Sequence, residues 1–210
     1  MVLLGRLRGR WLQILVHVVA LSPLVLLVWQ YWQGLFLVDP VREITTTTGK
    51  TALILLVLSL AVTPIYTVSG FKPVLRVRRA LGLYSFLYVS LHFLTFIGLD
   101  YQFDIGLLGG AIFDQRFVMA GFVTGLLLLP LALTSTKGFQ KRLGKHWKLV
   151  HRLVFVAVVL DLIHYAWLVK DIREPLRYAA VVALLLVLRI PRVRAAVSQL
   201  RHRLAPPRGA

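Results

Sequence analysis

Six apolar runs divide this chain, and they settle its architecture before any other feature does. They lie at about 11–32, 51–68, 80–99, 117–134, 147–169 and 176–190. A bilayer core about 30 Å thick takes roughly 20 helical residues. Inside it every backbone N–H and C=O must be paired within the protein, which leaves runs of this length only the helix. The 210 residues are 58% hydrophobic with a mean hydropathy of +0.77, above the roughly 45–50% of soluble domains, so the excess faces lipid. Pro23, Pro64 and Pro130 fall inside runs, which membrane helices tolerate. The sixth run is short, and Arg177 and Arg189 can snorkel from its two ends. The chain reads as an all-α membrane protein. A six-helix transmembrane bundle occupies residues 11–190, between a basic N-terminus at 1–10 and a basic tail at 191–210.

The charge distribution orients the bundle. The net charge is +17, a value that suggests nucleic acid until the basic residues are located. They sit in short clusters between apolar runs, as in cytoplasmic loops that meet anionic lipid headgroups, so no nucleic-acid partner is expected. Arg6, Arg8 and Arg10 precede the first run. Lys72, Arg76, Arg78 and Arg79 follow the second, and Lys137, Lys141, Arg142, Lys145 and Lys148 follow the fourth; six arginines run from Arg189 to Arg208 inclusive. The alternate loops hold seven of the eight acids: Asp39, Glu43, Asp100, Asp104, Asp114, Asp171 and Glu174. The positive-inside rule then places both termini in the cytoplasm. The opening MVLLGRLRGR resembles a signal-peptide basic region, but the apolar run behind it is too long and lacks an A-x-A-like site, so it is read as a retained first helix. The tail after Leu200 is expected to be a disordered, solvated anchor. No internal repeat stands out. No loop exceeds about 20 residues, which leaves no soluble catalytic domain.

The chain has no cysteine, which excludes disulfides, thiolate metal sites and iron–sulfur clusters, and its only methionines are Met1 and Met119. Any metal must rest on histidine or carboxylate. Of six histidines, His146 falls in a basic loop and His202 in the tail, where surface roles suffice. His17, His92, His151 and His164 fall within predicted crossings, where an ionisable side chain is a functional hypothesis by default. At about 1.5 Å of rise per residue, His92 stands about 10 Å from the outer end of the third helix and His164 about 8 Å from that of the fifth. A planar macrocycle between them would take one imidazole on each face. His151 precedes His164 by 13 residues, about 20 Å of rise, a spacing that suits a second redox centre beneath the first. The ideal helical angle, however, turns the two side chains to different faces. The third helix offers Arg78 and Arg79 where a second histidine would stand. His17 matches His151 in height, although hydrogen bonding to a neighbouring helix explains it as well.

Other residues carry open alternatives. Gly121 and Gly125 form a GxxxG that serves close packing or gives a macrocycle room. Asp161, the only acid inside a run, would orient an imidazole, carry a proton, or form a buried salt bridge. Arg78, Arg79 and Arg152 are positive-inside loop residues, or else meet haem propionates, a quinone headgroup or a flavin phosphate.

Five blocks then carry a resemblance: TGKTALILLVLSLAVTP (48–64), RRALGLYSFLYVSLHF (78–93), LPLALTS (129–135), LGKHWKLVHRLVF (143–155) and LIHYAW (162–167). Taken in order they resemble the MsrQ family, the haem-binding membrane subunits of the periplasmic methionine sulfoxide reductase system, within the wider ferric-reductase-like transmembrane group. The resemblance implies haem b, one or two per chain, with His92, His151 and His164 matching the family's histidines as cofactor and metal ligands. It implies electrons drawn from the quinone pool or a cytoplasmic flavin reductase and delivered to a periplasmic molybdopterin enzyme. It also brings flavin mononucleotide as an associated cofactor. Larger relatives place two histidines on each of two helices. This chain has one on the third, which leaves the second ligand of an inner haem unassigned.

The reading is therefore a multi-pass protein of the bacterial inner membrane that conducts electrons from haem b to a separate enzyme and makes no product of its own. The rival readings are a proton or solute transporter using Asp161 and the histidines, and an anchor subunit without a cofactor.

Overall fold

A computed structural model describes residues 10–36 and 39–204. Among the described residues all regular structure is helical: α1 (Trp11–Trp32), α2 (Pro40–Ser69), α3 (Arg78–Thr95), α4 (Ile105–Asp114), α5 (Arg116–Leu133), α6 (Lys137–Leu143), α7 (Lys145–Val150), α8 (Leu153–Leu168), α9 (Arg173–Val187) and α10 (Pro191–Leu204). A 3-10 turn (Lys72–Arg76) leads into α3, and a wider π turn (Phe96–Asp100) extends it. Five segments are long and apolar enough to cross a membrane: α1, α2, α3 with its π turn, α5, and α7 with α8. The sixth expected run is present as α9, whose 15 residues rise about 22 Å.

Four boundaries differ from the sequence expectation, each for a local reason. α2 begins 11 residues before the apolar run at 51, because Asp39 accepts from the Arg42 amide at 3.0 Å and Pro40 holds the first helical position. The polar stretch from Thr45 to Lys50 is thus helical, and Lys50 reaches Glu174 at the start of α9 at 3.0 Å. The fifth run is interrupted at His151 and Arg152, where the bonds tighten: Arg152 N donates to Leu149 O at 3.1 Å and Phe155 N to Arg152 O at 3.0 Å. The loop expected between the third and fourth crossings contains α4, capped by Asp104 on the Leu107 amide at 3.0 Å. The tail, expected to be disordered after Leu200, continues as helix to Leu204. It is tied down by Arg201, whose Nη1 donates to Tyr66 O at 3.1 Å and Thr67 O at 3.0 Å. The basic N-terminus at 1–9, residues 205–210 and the His202 side chain lie outside the described residues.

α2 is the axis of the molecule. Its Leu53, Leu56, Val57 and Leu60 pack with Leu128 and Leu131 of α5, Ala157, Val158 and Tyr165 of α8, and Val182 and Leu185 of α9. Its Ala52, Leu55 and Val62 pack in a second cluster with Ala20 of α1 and with Val77, Leu81 and Tyr88 around the start and middle of α3. α1 is peripheral, with Val18, Val25, Leu26 and Val28 exposed towards lipid.

Polar contacts join these apolar faces. Ser85 donates to Ala52 O at 2.9 Å. The Tyr88 hydroxyl, on a side chain with no exposed surface, donates to Ala20 O at 2.7 Å and accepts from Leu24 N at 3.1 Å. Those two backbone groups would pair with each other in an unbroken α1, and Pro23 lies between them. Tyr88→Phe should therefore leave a buried donor and acceptor without their bridge and destabilise the fold by about 1–3 kcal/mol. A lower midpoint in denaturant titration of the purified protein is the expected result.

Candidate functional site

His92 lies in the last turn of α3 and His164 near the end of α8. Their ring centroids are 6.2 Å apart with planes at 84°. His92 Nδ1 bonds Thr45 O of α2 at 3.0 Å, and His164 Nδ1 bonds Phe117 O of α5 at 2.7 Å. A carbonyl oxygen can only accept, so both protons sit on Nδ1 and both Nε2 atoms keep a lone pair. Metal-ligating histidines are held in this way.

The cradle is built twice. Phe117, Gly121 and His164 follow Thr45, Gly49 and His92 by the same 72 positions. In each copy the glycine lies one turn after the carbonyl that the imidazole reaches, on the same helix face. A Cβ on Gly49 would stand 3.1 Å from His92 Nδ1, and one on Gly121 2.9 Å from His164 Nδ1. The missing side chains let the rings reach the helix backbone. Gly125 makes room for Phe93 instead, since a Cβ there would stand 2.5 Å from its ring. The GxxxG of α5 therefore admits one imidazole and one phenyl group. Gly49, Thr45 and Phe117 were not singled out from the sequence. The signal available was the equal spacing of 43 positions from Gly49 to His92 and from Gly121 to His164.

The donor set fits haem iron. The two imidazoles stand 6.2 Å apart between ring centres, and with each Nδ1 tied to a carbonyl their Nε2 lone pairs would be the atoms to hold a haem iron. Phe93 and Phe122 pack edge-on at 6.1 Å, with Phe93 next to His92 and Phe117 beside His164 at 6.3 Å. The Thr45 hydroxyl is buried without a hydrogen-bond partner, a polar atom left for a group bound at the cradle.

The other singled-out residues lie elsewhere. Asp161 is in α8 on the face of Ala157 and Tyr165, and it does not orient His164, whose Nδ1 is taken by Phe117 O. His17 bonds the Tyr84 hydroxyl at 2.8 Å, and His146 is exposed on α7. His151 stands apart from the pair, and among the described residues no cluster of three or more His, Asp or Glu forms. Its ring lies against Trp147 at 4.1 Å, and its Nε2 meets Thr134 Oγ1 at 3.2 Å. With Arg78, Arg79 and Lys137 it lines a cavity of about 340 Å³. Nearby, Arg189 donates to Leu60 O at 2.6 Å.

Residues 46–162 match the family described as ferric reductase like transmembrane component. The chain is also similar over nearly its whole length to proteins named protein-methionine-sulfoxide reductase heme-binding subunit MsrQ. That of Xanthomonas axonopodis pv. citri (strain 306) is 40% identical over 92% of both chains. That of Xanthomonas campestris pv. campestris (strain B100) is 41% identical over 91% of this chain and 92% of its own. No solved structure matches the chain.

The glycine windows predict a steric phenotype. Gly121→Leu should push the His164 ring off the Phe117 carbonyl and remove most of the six-coordinate low-spin haem signal, while Gly109→Leu, where a Cβ meets nothing within 4 Å, should leave that signal intact. Absorption spectra of the purified variants check both.

Proposed function

The chain belongs to the MsrQ family of the ferric-reductase-like transmembrane group, and on that premise we propose that it is the haem b electron-transfer subunit of a methionine sulfoxide reductase system in the bacterial inner membrane. The observation that carries the reading is the His92–His164 pair at 6.2 Å with both Nδ1 atoms tied to backbone carbonyls. Haem supplies one-electron chemistry when bound. The chain's own residues do the rest. His92 and His164 would hold the iron through their Nε2 atoms, Thr45 and Phe117 fix their tautomers, and Phe93, Phe117 and Phe122 would keep water from the centre. The proposal carries one or two haems, and a second would draw on His151, whose ring stands apart from the pair beside Trp147 and Thr134.

Electrons enter from quinol or a cytoplasmic flavin reductase and leave to a periplasmic molybdopterin methionine sulfoxide reductase, which repairs oxidised proteins. Flavin mononucleotide belongs to this reading by family resemblance alone. In the proposed topology α9 is a sixth crossing and both termini are cytoplasmic. The supports are the basic clusters on one side and the acids on the other, with Arg173 and Arg177 at one end of α9 and Arg189 past its other end. Exposed Asp39, Glu43, Asp100, Asp104 and Asp114 then form the outward face for the partner, steering a basic patch at a rate that falls with salt.

The deciding experiment reduces the purified protein anaerobically and mixes it with the molybdopterin subunit and a methionine sulfoxide substrate. The haem should reoxidise only when both are present; haem that stays reduced beside a partner active with an artificial donor overturns the assignment. His92→Ala and His164→Ala should each remove most of the low-spin haem. A reporter fused after Gly110 should behave as periplasmic, and one after Gly138 as cytoplasmic.

A further inference from the structure

At the end of the bundle away from the paired imidazoles, α9 gives way to α10, and the corner between them is an open groove of about 390 Å³. Arg189 lines it together with Pro191, Arg194, Ala195 and Ser198 of α10. The last four recur at i, i+3, i+4 and i+7, which is one face of a helix. Arg201 ties α10 to the Tyr66 and Thr67 carbonyls near the end of α2, so the groove is built into the fold. Ala195 and Ser198 are small, which keeps its wall low.

Arg189 is held in place. Its Nη2 donates to Leu60 O at 2.6 Å, and its guanidinium lies over the Phe155 ring at 5.3 Å. Its Nε is buried and finds no acceptor in the protein. Arg78, at the start of α3, and Arg194 both stand close enough to repel it. No carboxylate answers these charges. None lines the groove, seven of the eight acids lie in the alternate loops, and Asp161 lies inside α8. Arginines gathered without an acid call for an anion from outside the chain. Phosphate suits them best, because the guanidinium fork meets two of its oxygens at once.

The surroundings select the source of that phosphate. The exposed apolar side of α9, with Leu184, Val187 and Ile190, runs down to the groove. A molecule seated there has its charged group on the arginines and an alkyl chain along a lipid-facing helix. A free phosphate would use the first feature and leave the second idle. We propose that this groove is a discrete binding site for one anionic glycerophospholipid, whose phosphodiester pairs with Arg189 and Arg194 while its acyl chains lie along α9. Basic pockets at helix ends hold lipid headgroups in this way. On the proposed topology the lipid belongs to the cytoplasmic leaflet. The site depends on which face of α10 carries an arginine, and it does not draw on the haem reading.

The test uses the full-length protein in detergent, with lipid titrated in and adducts counted by native mass spectrometry. Phosphatidylglycerol should give one tight adduct. Phosphatidylcholine, whose ammonium group neutralises its phosphate, should bind about tenfold more weakly. Arg194→Gln removes a charge-assisted bond and should weaken the phosphatidylglycerol adduct about tenfold. Ser198→Glu places an acid in the groove with Arg194 still present and should weaken it at least as much. Arg192→Gln removes the same charge from another face of α10, where the side chain is exposed, and should leave the adduct intact. Inorganic phosphate in large excess should not displace the lipid. Equal weakening by Arg192→Gln means diffuse attraction to a basic tail, displacement by inorganic phosphate means a free-anion site, and unchanged binding in both groove variants means that the lipid sits elsewhere. Each of these outcomes overturns the proposal.

Discussion

Two backbone carbonyls, more than any side-chain partner, organise this molecule. A histidine in a membrane interior has to be neutral, and a neutral imidazole is useful as a ligand only if its proton is on the nitrogen facing away from the metal. Thr45 O and Phe117 O impose that choice. A helical carbonyl already accepts from the amide four residues on, and a ring as bulky as imidazole reaches its second lone pair where the side chain one turn on is absent. Gly49 and Gly121 provide that opening. The packing of α3 on α2 and of α8 on α5 follows from it, because each imidazole must lie directly on the opposite helix.

The position of α2 follows from the same demand. It presents its Gly49 face to His92, contributes Leu53, Leu56, Val57 and Leu60 to the larger core, and supplies Ala52 O to Ser85. A helix with so many obligations cannot be uniformly apolar. Its first third is polar, with four consecutive threonines and Lys50, the last paired to Glu174. Thr48 returns its hydroxyl proton to Ile44 O at 2.7 Å, so it sits buried without an unpaired donor.

Much of this was legible in the sequence, and the limits have physical causes. The apolar run 11–32 coincides with α1 because nothing but lipid and one flank of the bundle touches that helix, and hydropathy measures lipid contact. The same measure missed the start of α2, where an Asp39–Pro40 cap begins the helix 11 residues before the apolar run. It missed α4, whose exposed Ile105 and Phe113 lie in a stretch too short to register as a crossing. Equal depth drew attention to His92 and His164 together. Their backbone partners were invisible because a carbonyl has no letter in the sequence. The repeat of 72 positions was hidden for a related reason: only the glycine, the histidine and a backbone atom are shared between the copies, and the side chains between them differ.

The duplicated cradle has a mechanical consequence. Each half is a pair of helices, α2 with α3 and α5 with α8, and each ends its grip on a different face of the same central space. A group bound between His92 and His164 is a clasp across the seam between the halves. On the proposed function, its binding free energy would add to the apolar contacts that already close that seam, and the integrity of the bundle would rise with cofactor supply by mass action. Without such a group the two halves would be held by the apolar cluster that Leu53, Leu56, Val57 and Leu60 form with Leu128, Leu131, Ala157 and Val158.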